Sequence, residues 1–211
     1  MKELLNKITS FYKKISEVAT PTVVLAIICV VVTLALSSAN ALTHKKIKAL
    51  AIENQNKAMA KLMEGEYEEL THRINNGDAF IKYYIVKKEG KEIGFIFVTS
   101  AKGYGGEIQV MTAVNMDLTV AAIEILDASG ETPGLGQNVT KESFFSQFVN
   151  HKKDISVIKG GGANLDNNEI NAVTGATISS KAVTGAVNTA LQYAEEIIVS
   201  NTDAKEDVPL E

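Results

Sequence analysis

The longest uncharged stretch of the chain lies near its start. No charged residue occurs from Val18 to Thr43, and the segment from Val23 to Leu36 is almost continuously apolar. Because about 20 residues carry a helix across a bilayer, residues 18–43 are predicted to form one transmembrane helix after a short N-terminus of residues 1–17. The small residues from Ala39 to Ala41 also fit a cleavable secretory signal, but the long leader before the apolar run favours an uncleaved anchor.

Helix-forming residues follow the apolar stretch. They dominate from Lys45 to about Leu70, where the apolar residues recur near helical spacing. This pattern predicts a stalk helix over residues 44–75, which Asn75-Asn76-Gly77-Asp78 ends.

The rest of the chain shows strand periodicity first and helix periodicity later. Four segments rich in β-branched and aromatic residues are separated by short turns, which favours an antiparallel sheet. They are Phe80 to Lys88, Glu92 to Ser100, Glu107 to Asn115 and Thr119 to Leu126. A short amphipathic helix is predicted from Lys141 to Val149 and a longer helix from Lys181 to Val199. The pattern predicts an α+β domain over residues 76–200, and a disordered charged tail over residues 201–211.

The composition of the chain argues against several kinds of function. The net charge of −4 and the lack of a basic patch argue against nucleic acid as a partner. The single cysteine, Cys29, lies inside the apolar stretch, which excludes an intramolecular disulfide. His44, His72 and His151 lack metal-ligand spacing, so no metal site is predicted, and the last two are expected on the surface. No catalytic side-chain constellation is evident, which favours chemistry supplied by a cofactor.

One short run brings a hydroxyl to the start of the last predicted helix. Thr177 follows Gly175 and Ala176, whose lack of bulk lets a ligand approach the backbone closely. Ser179 and Ser180 are predicted N-cap residues of the helix. Since a helix N-terminus attracts anions, the run favours a phosphate held at, or bonded to, the Thr177 hydroxyl.

The run Thr174-Gly175-Ala176-Thr177 resembles the flavinylation motif of membrane electron-transfer subunits, in which a threonine receives FMN through a phosphoester bond. The whole chain resembles the G subunit of the Rnf complex, a ferredoxin:NAD+ oxidoreductase, and the related C subunit of the sodium-pumping NADH:quinone reductase. The resemblance implies that Thr177 is the acceptor and that a separate flavin transferase attaches FMN, with FAD as donor and Mg²⁺. Family members usually have Asp three residues before the first Ser/Thr of the motif, and this chain has Asn171 at that position.

A second run, from Glu131 to Gly136, also matches the family. Pro133 fixes one dihedral angle, and Gly134 and Gly136 permit positive φ, so the loop is expected to be tightly shaped. Composition alone also fits a tight connection between the sheet and the next helix. By resemblance the cofactor-binding residues are Glu131, Thr132, Gly134, Leu135, Gly136, Thr174, Gly175, Ala176, Thr177, Ser179 and Ser180. Tyr104, in a glycine-rich turn, is a weaker candidate.

The resemblance implies a membrane-bound electron relay within an Rnf-type complex. Such a complex couples ferredoxin oxidation and NAD+ reduction to translocation of Na+ or H+, as an oxidoreductase and translocase. The implied partners are other membrane subunits, the flavin transferase and the lipid bilayer, with the large domain on the extracytoplasmic side of the cell membrane. Two alternatives stay open. One is a stand-alone flavinylated electron-transfer protein, and the other is a membrane-tethered binding or sensor domain without flavin.

Overall fold

The computed structural model describes residues 2–74 and 79–206, and the side chains of residues 19–72 and 81–200. The helices are α1 (Lys2–Leu62), α2 (Glu142–Phe145) and α3 (Thr177–Glu206). The strands are β1 (Glu66–Ile74), β2 (Ala79–Lys88), β3 (Lys91–Lys102), β4 (Glu107–Asn115), β5 (Val120–Asp127), β6 (Ser156–Ile158) and β7 (Glu169–Asn171). Short 3-10 helices lie at Gly136–Thr140, Ser146–Phe148 and Leu165–Asn167. The chain divides into two compact units between Glu53 and Asn54.

The first unit contains the apolar part of α1. Among the described residues, this is the one helix long and apolar enough to cross a membrane. Its apolar side chains are exposed, as in Leu25 and Leu34 at 62% each, so they are free to face lipid. The hydroxyls of Thr33 and Ser38 donate to the carbonyls of Cys29 and Leu34, which satisfies these polar groups inside the helix. By its length and composition, this part of α1 is suited to cross a membrane once.

The predicted stalk helix is too long. The helix ends at Leu62, and residues 66–74 form strand β1, which pairs with β2 over its whole length. Gly65 precedes the strand, and a Cβ there would lie 2.5 Å from the carbonyl oxygen of Lys87. This close approach and the long pairing with β2 outweigh the helix propensity of the glutamates in β1. The predicted break at residues 75–78 lies outside the described residues.

The second unit is built on a five-stranded antiparallel sheet in the order β1-β2-β3-β4-β5. The predicted α+β class and antiparallel sheet are confirmed, with β1 as an additional strand. A second, parallel pair joins β6 to β7 and was not predicted. This pair leads the chain from the sheet to the start of α3.

Helix α3 covers one face of the sheet, here called the inner face. Aromatic and branched side chains of the strands meet a stripe of small residues on α3. The buried α3 residues include Ala182, Val183, Ala186, Val187, Ala190, Leu191 and Ala194. Small side chains let the helix lie close to the strands, as shown by the buried Thr99 hydroxyl, which donates to the Ala186 carbonyl at 2.9 Å.

The opposite, outer face is covered by the end of α1 and the residue after it. Ala58, Met59, Leu62 and Met63 pack against buried strand residues there. Those strand residues are Val86, Ile96, Met111 and Ala113.

Two further expectations are wrong. Helix α3 continues to Glu206, so residues 201–206 are helical and not a disordered tail, because they extend a helix that is already formed and contain helix formers. Residues 207–211 lie outside the described residues. His151 is only 3% exposed, since it lies between the sheet and the β6–β7 segment, where its Nδ1 is 2.9 Å from Asn168 Oδ1.

Candidate functional site

A tight turn connects β7 to α3. The N–H of Ala172 donates to the carbonyl of Ile158, and the N–H of Ala176 donates to the carbonyl of Val173 at 3.0 Å. Gly175 has φ +78°, a conformation that side chains disfavour. The turn therefore depends on glycine at this position and directs the chain into α3.

Thr177 is the first residue of α3, so its hydroxyl lies at the start of this helix, although the predicted helix began only at Lys181. Ser179 and Ser180 lie within the first turn and are not N-caps. The reason is that the Ser180 N–H already donates to the Ala176 carbonyl at 2.9 Å, so the helix begins earlier. The Ser180 hydroxyl donates to the same carbonyl and accepts the Val173 N–H, and so it holds the turn against the helix. The N–H groups of a helix's first turn lack partners within the helix and suit an anion.

A cavity of about 540 Å³ opens beside Thr177. Its lining residues come from three segments that are distant in the sequence. They are Tyr104, Glu131, Thr132, Leu135, Gly136, Gly175, Ala176, Thr177, Ile178 and Ser179. This volume is in the range of small-molecule and cofactor sites.

Exposed apolar side chains stand around the cavity. Tyr104 is 72% exposed, Leu135 48% and Ile178 54%. A Cβ at Gly175 would be 3.1 Å from Leu135 Cδ2, so the turn and the Leu135 side chain are in close proximity. The three side chains form an apolar surface next to the hydroxyl of Thr177, as a flat aromatic ring with a phosphate would require.

Glu131 joins the three segments. Its carboxylate accepts the Gly105 N–H at 3.0 Å and the Ser179 hydroxyl at 2.5 Å, although residues 131 and 179 are 48 positions apart. Burial raises the pKa of Glu131, but the hydrogen bonds from Ser179 and from the N–H groups of the Tyr104–Gly106 loop outweigh it, and the pKa lies below its ordinary value. The side chain is therefore ionised at neutral pH.

Three predicted site residues do not line the cavity. The Ser180 side chain is buried in the turn, and the carbonyl of Gly134 accepts from Asn138 Nδ2. Thr174 lines a neighbouring groove of about 330 Å³ instead. The other eight predicted residues surround the cavity together with Tyr104. Ile178 was missed, and its position directly after Thr177 was the available signal.

Asn171 is held by Gln147. The Gln147 Oε1 accepts both the N–H of Asn171 and its side-chain Nδ2, and the Asn171 Oδ1 accepts the Ala163 N–H at 3.0 Å. The Gln147 Nε2 donates to the Asn171 carbonyl at 3.3 Å. An amide side chain at position 171 therefore fixes the end of β7, three residues before Thr174.

No group of three or more His, Cys, Asp or Glu side chains in the described part of the chain could hold a metal ion.

A protein-family model and several relatives match this chain. The family model of the FMN-binding domain matches residues 103–192, which include all three segments around the cavity. The G subunit of the proton-translocating ferredoxin:NAD(+) oxidoreductase complex of Clostridium ljungdahlii is 39% identical over 56% of this chain and 66% of that protein. The chain therefore spans just under two thirds of that relative.

A second relative is matched over more of its length. The G subunit of the ion-translocating oxidoreductase complex of Methanosarcina acetivorans is 32% identical over 72% of this chain and 80% of that protein. Among solved structures, the crystal structure of Shewanella oneidensis NqrC is 24% identical with a TM-score of 0.47, over 57% of this chain and 61% of that one.

Proposed function

Because this chain belongs to the family of G subunits of ion-translocating oxidoreductase complexes, we propose that it is a membrane-anchored electron carrier with FMN bound covalently to Thr177. The observation that carries the proposal is the position of Thr177, which begins α3 and lines the cavity at the same time. The matched FMN-binding domain supports the choice of cofactor.

The residues present fit this cofactor. When bound, FMN supplies an aromatic ring system that takes up and releases electrons. The side chains of Tyr104, Leu135 and Ile178 would hold the ring, and the first N–H groups of α3 would stabilise the phosphate. A covalent bond through the phosphate retains the cofactor in an open site and leaves the ring free to exchange electrons.

Attachment needs help from another protein. A threonine hydroxyl is a weak nucleophile without a base, and Glu131, the one carboxylate among the described residues that line the cavity, is engaged by Ser179 and Gly105. A flavin transferase would supply the base and Mg²⁺. The Thr177 oxygen would form its bond to the FMN phosphorus of FAD, the pyrophosphate bond would break, AMP would leave, and the transferase base would take the hydroxyl proton.

In this role the chain relays electrons between neighbouring membrane subunits of an Rnf-type complex. Such a complex would couple ferredoxin oxidation and NAD+ reduction to movement of Na+ or H+, in line with the name of the Clostridium relative. The single apolar span contains no charged residue from Val18 to Thr43, so ions would cross through other subunits. The large domain would lie on the extracytoplasmic side.

The first test is the intact mass of the chain purified from its native membrane, with peptide fragmentation to locate the modification. One FMN is expected on Thr177, and Thr177→Ala should abolish it. Thr140→Ala is the matched control, since Thr140 is an exposed threonine that does not line the cavity, and it should keep the flavin. An unmodified wild-type chain from cells with an active flavin transferase would contradict the proposal, as would flavin retained by Thr177→Ala.

Co-purification separates the complex from a stand-alone carrier. A set of multi-span membrane proteins should accompany the wild-type chain in mild detergent. Purification of the flavinylated chain alone from the same membranes would favour the stand-alone protein.

Sidedness can be tested with a new cysteine. The one native cysteine, Cys29, lies in the apolar span, so Cys29→Ser removes the background. Lys159→Cys then places a thiol at an accessible position of the domain. A membrane-impermeant maleimide should label it in intact cells. Labelling only after lysis would place the domain in the cytoplasm.

A further inference from the structure

The cavity wall contains a buried charge that attachment of FMN does not use. Glu131 is 2% exposed and carries the only charged side chain among the described residues that line the cavity. In the described part of the chain, the ion pairs do not involve Glu131. Its charge is therefore stabilised by hydrogen bonds and is not cancelled by a cation.

The backbone makes room for this carboxylate at two positions. A Cβ at Gly103 would overlap Glu131 Oε1, and a Cβ at Gly136 would overlap Glu131 Oε2. Both glycines belong to the loops that form the cavity. A buried ion is costly unless its hydrogen bonds are well made, and the Gly105 N–H and the Ser179 hydroxyl supply such bonds to Glu131.

We propose that Glu131 is a fixed negative charge that lowers the reduction potential of the flavin held beside Thr177. This inference rests on the proposed function. Reduction adds negative charge to the flavin ring, and the buried anion of Glu131 beside it makes that addition less favourable. Glu131 would thus bias the carrier toward giving up its electrons.

The test is a redox titration of the full-length flavinylated chain in detergent at pH 7, followed by flavin absorbance. Glu131→Gln should shift the equilibrium at least tenfold toward the reduced flavin, which is a rise of about 30 mV for a two-electron couple. Glu131→Asp keeps the charge, so its potential should stay below that of Glu131→Gln. Glu142→Gln, the same change at an exposed position of α2, should leave the potential unchanged.

A second variant tests the direction of the shift in reduction potential. Ser179→Ala removes one donor to the carboxylate and leaves its charge less compensated, so the potential should fall, opposite to the change in Glu131→Gln. Loss of packing alone would not produce shifts of opposite sign. Ser179→Ala also keeps the proposal testable if Glu131→Gln does not fold or load.

The outcomes separate the two proposals. Absence of FMN from the wild-type chain contradicts the proposed function. A fully loaded Glu131→Gln variant with the wild-type potential, or a rise in potential for Ser179→Ala, overturns only the role of Glu131. In the Thr177→Ala chain, which lacks FMN, ionisation of Glu131 can be followed by the infrared absorption of its carboxylate. Adding Glu131→Gln to this chain identifies the Glu131 band as the one that disappears. A protonated Glu131 at pH 7 would also overturn the inference.

Discussion

The two faces of the five-stranded sheet are covered by different kinds of helix. The inner face lies under α3, which begins at Thr177 and packs small residues against Phe95 and Phe97. The outer face lies under the end of α1 and the residue after it, where Met59 and Met63 are buried. Because α3 carries the candidate acceptor and α1 carries the apolar span, damage to the inner face should reach the cofactor site, whereas damage to the outer face should not.

The largest effect is expected from Phe97→Ala on the inner face. Phe97 is 1% exposed and packs against Tyr83 and Tyr193, so its loss leaves a cavity under α3. The free energy of unfolding should fall by about 3–5 kcal/mol, and FMN attachment at Thr177 should decrease. Denaturant unfolding of the detergent-solubilised chain and intact mass measure the two effects. Full attachment in a strongly destabilised variant would break the link between this face and the site.

A smaller effect is expected from Met59→Ala on the outer face. Met59 is 4% exposed, but it lies near a helix end, and methionine side chains adapt readily, so the free energy of unfolding should fall by about 2 kcal/mol, the low end for a buried methionine. FMN attachment should match the wild type. A loss of attachment as large as that in Phe97→Ala would show that the faces are not independent.

The loops around the cavity should add a pH-dependent contribution to the free energy of unfolding. The pKa of Glu131 is lower in the folded chain than in the unfolded chain, so its stabilisation is complete above the unfolded pKa of about 4.3 and is lost as pH falls through the folded pKa. Glu131→Gln should therefore be less stable than the wild type at pH 7, and the difference should shrink below pH 4.3.

The measurement is the free energy of unfolding from pH 7 to pH 3 for both chains. Hydrogen bonds from Lys82 and Thr119 also lower the pKa of Glu69 and of Asp117, but both chains keep these groups. The difference between the curves thus isolates Glu131. Parallel curves would show that its carboxylate does not contribute.

The smallest effect is expected from Lys61→Ala. Lys61 is on the last turn of α1, and its Nζ is 2.8 Å from Glu124 on β5 and 5.6 Å from the Phe145 ring centre. Since the Lys61 side chain is 62% exposed, the change should cost less than about 1 kcal/mol and less again at high salt. A double-mutant cycle with Glu124→Gln measures the pair. A coupling above about 2 kcal/mol would mean that the outer face depends on this contact.

Elements with strong periodicity were predicted correctly from the sequence. Pairings between distant segments were not. The stripe from Ala182 to Ala194 predicted the part of α3 that covers the sheet, because small apolar residues recur at helical spacing. Strand β1 was missed because Glu66–Leu70 has local helix propensity, and only pairing with β2 makes it a strand. The pair β6–β7 was missed because each strand has only three residues.

The same division holds at the site. Local motifs located Thr177 and the loop from Glu131 to Gly136 in the chain, and the fold brings them together. The hydrogen bond from Ser179 to Glu131 could not be predicted, because nothing in either motif indicates that residues 48 positions apart touch. The start of α3 was misplaced since the carbonyl of Ala176, rather than a serine side chain, begins its hydrogen bonding.

The fit of Glu131 between two glycines restricts how this protein can evolve. A larger side chain at Gly103 or Gly136 would overlap the carboxylate, so a change at either glycine requires the Glu131 side chain to move or to become shorter. Shortening residue 131 first would leave the Gly105 N–H and the Ser179 hydroxyl without their acceptor. Each single change should therefore lower the stability of the fold, and we expect the three positions to change together.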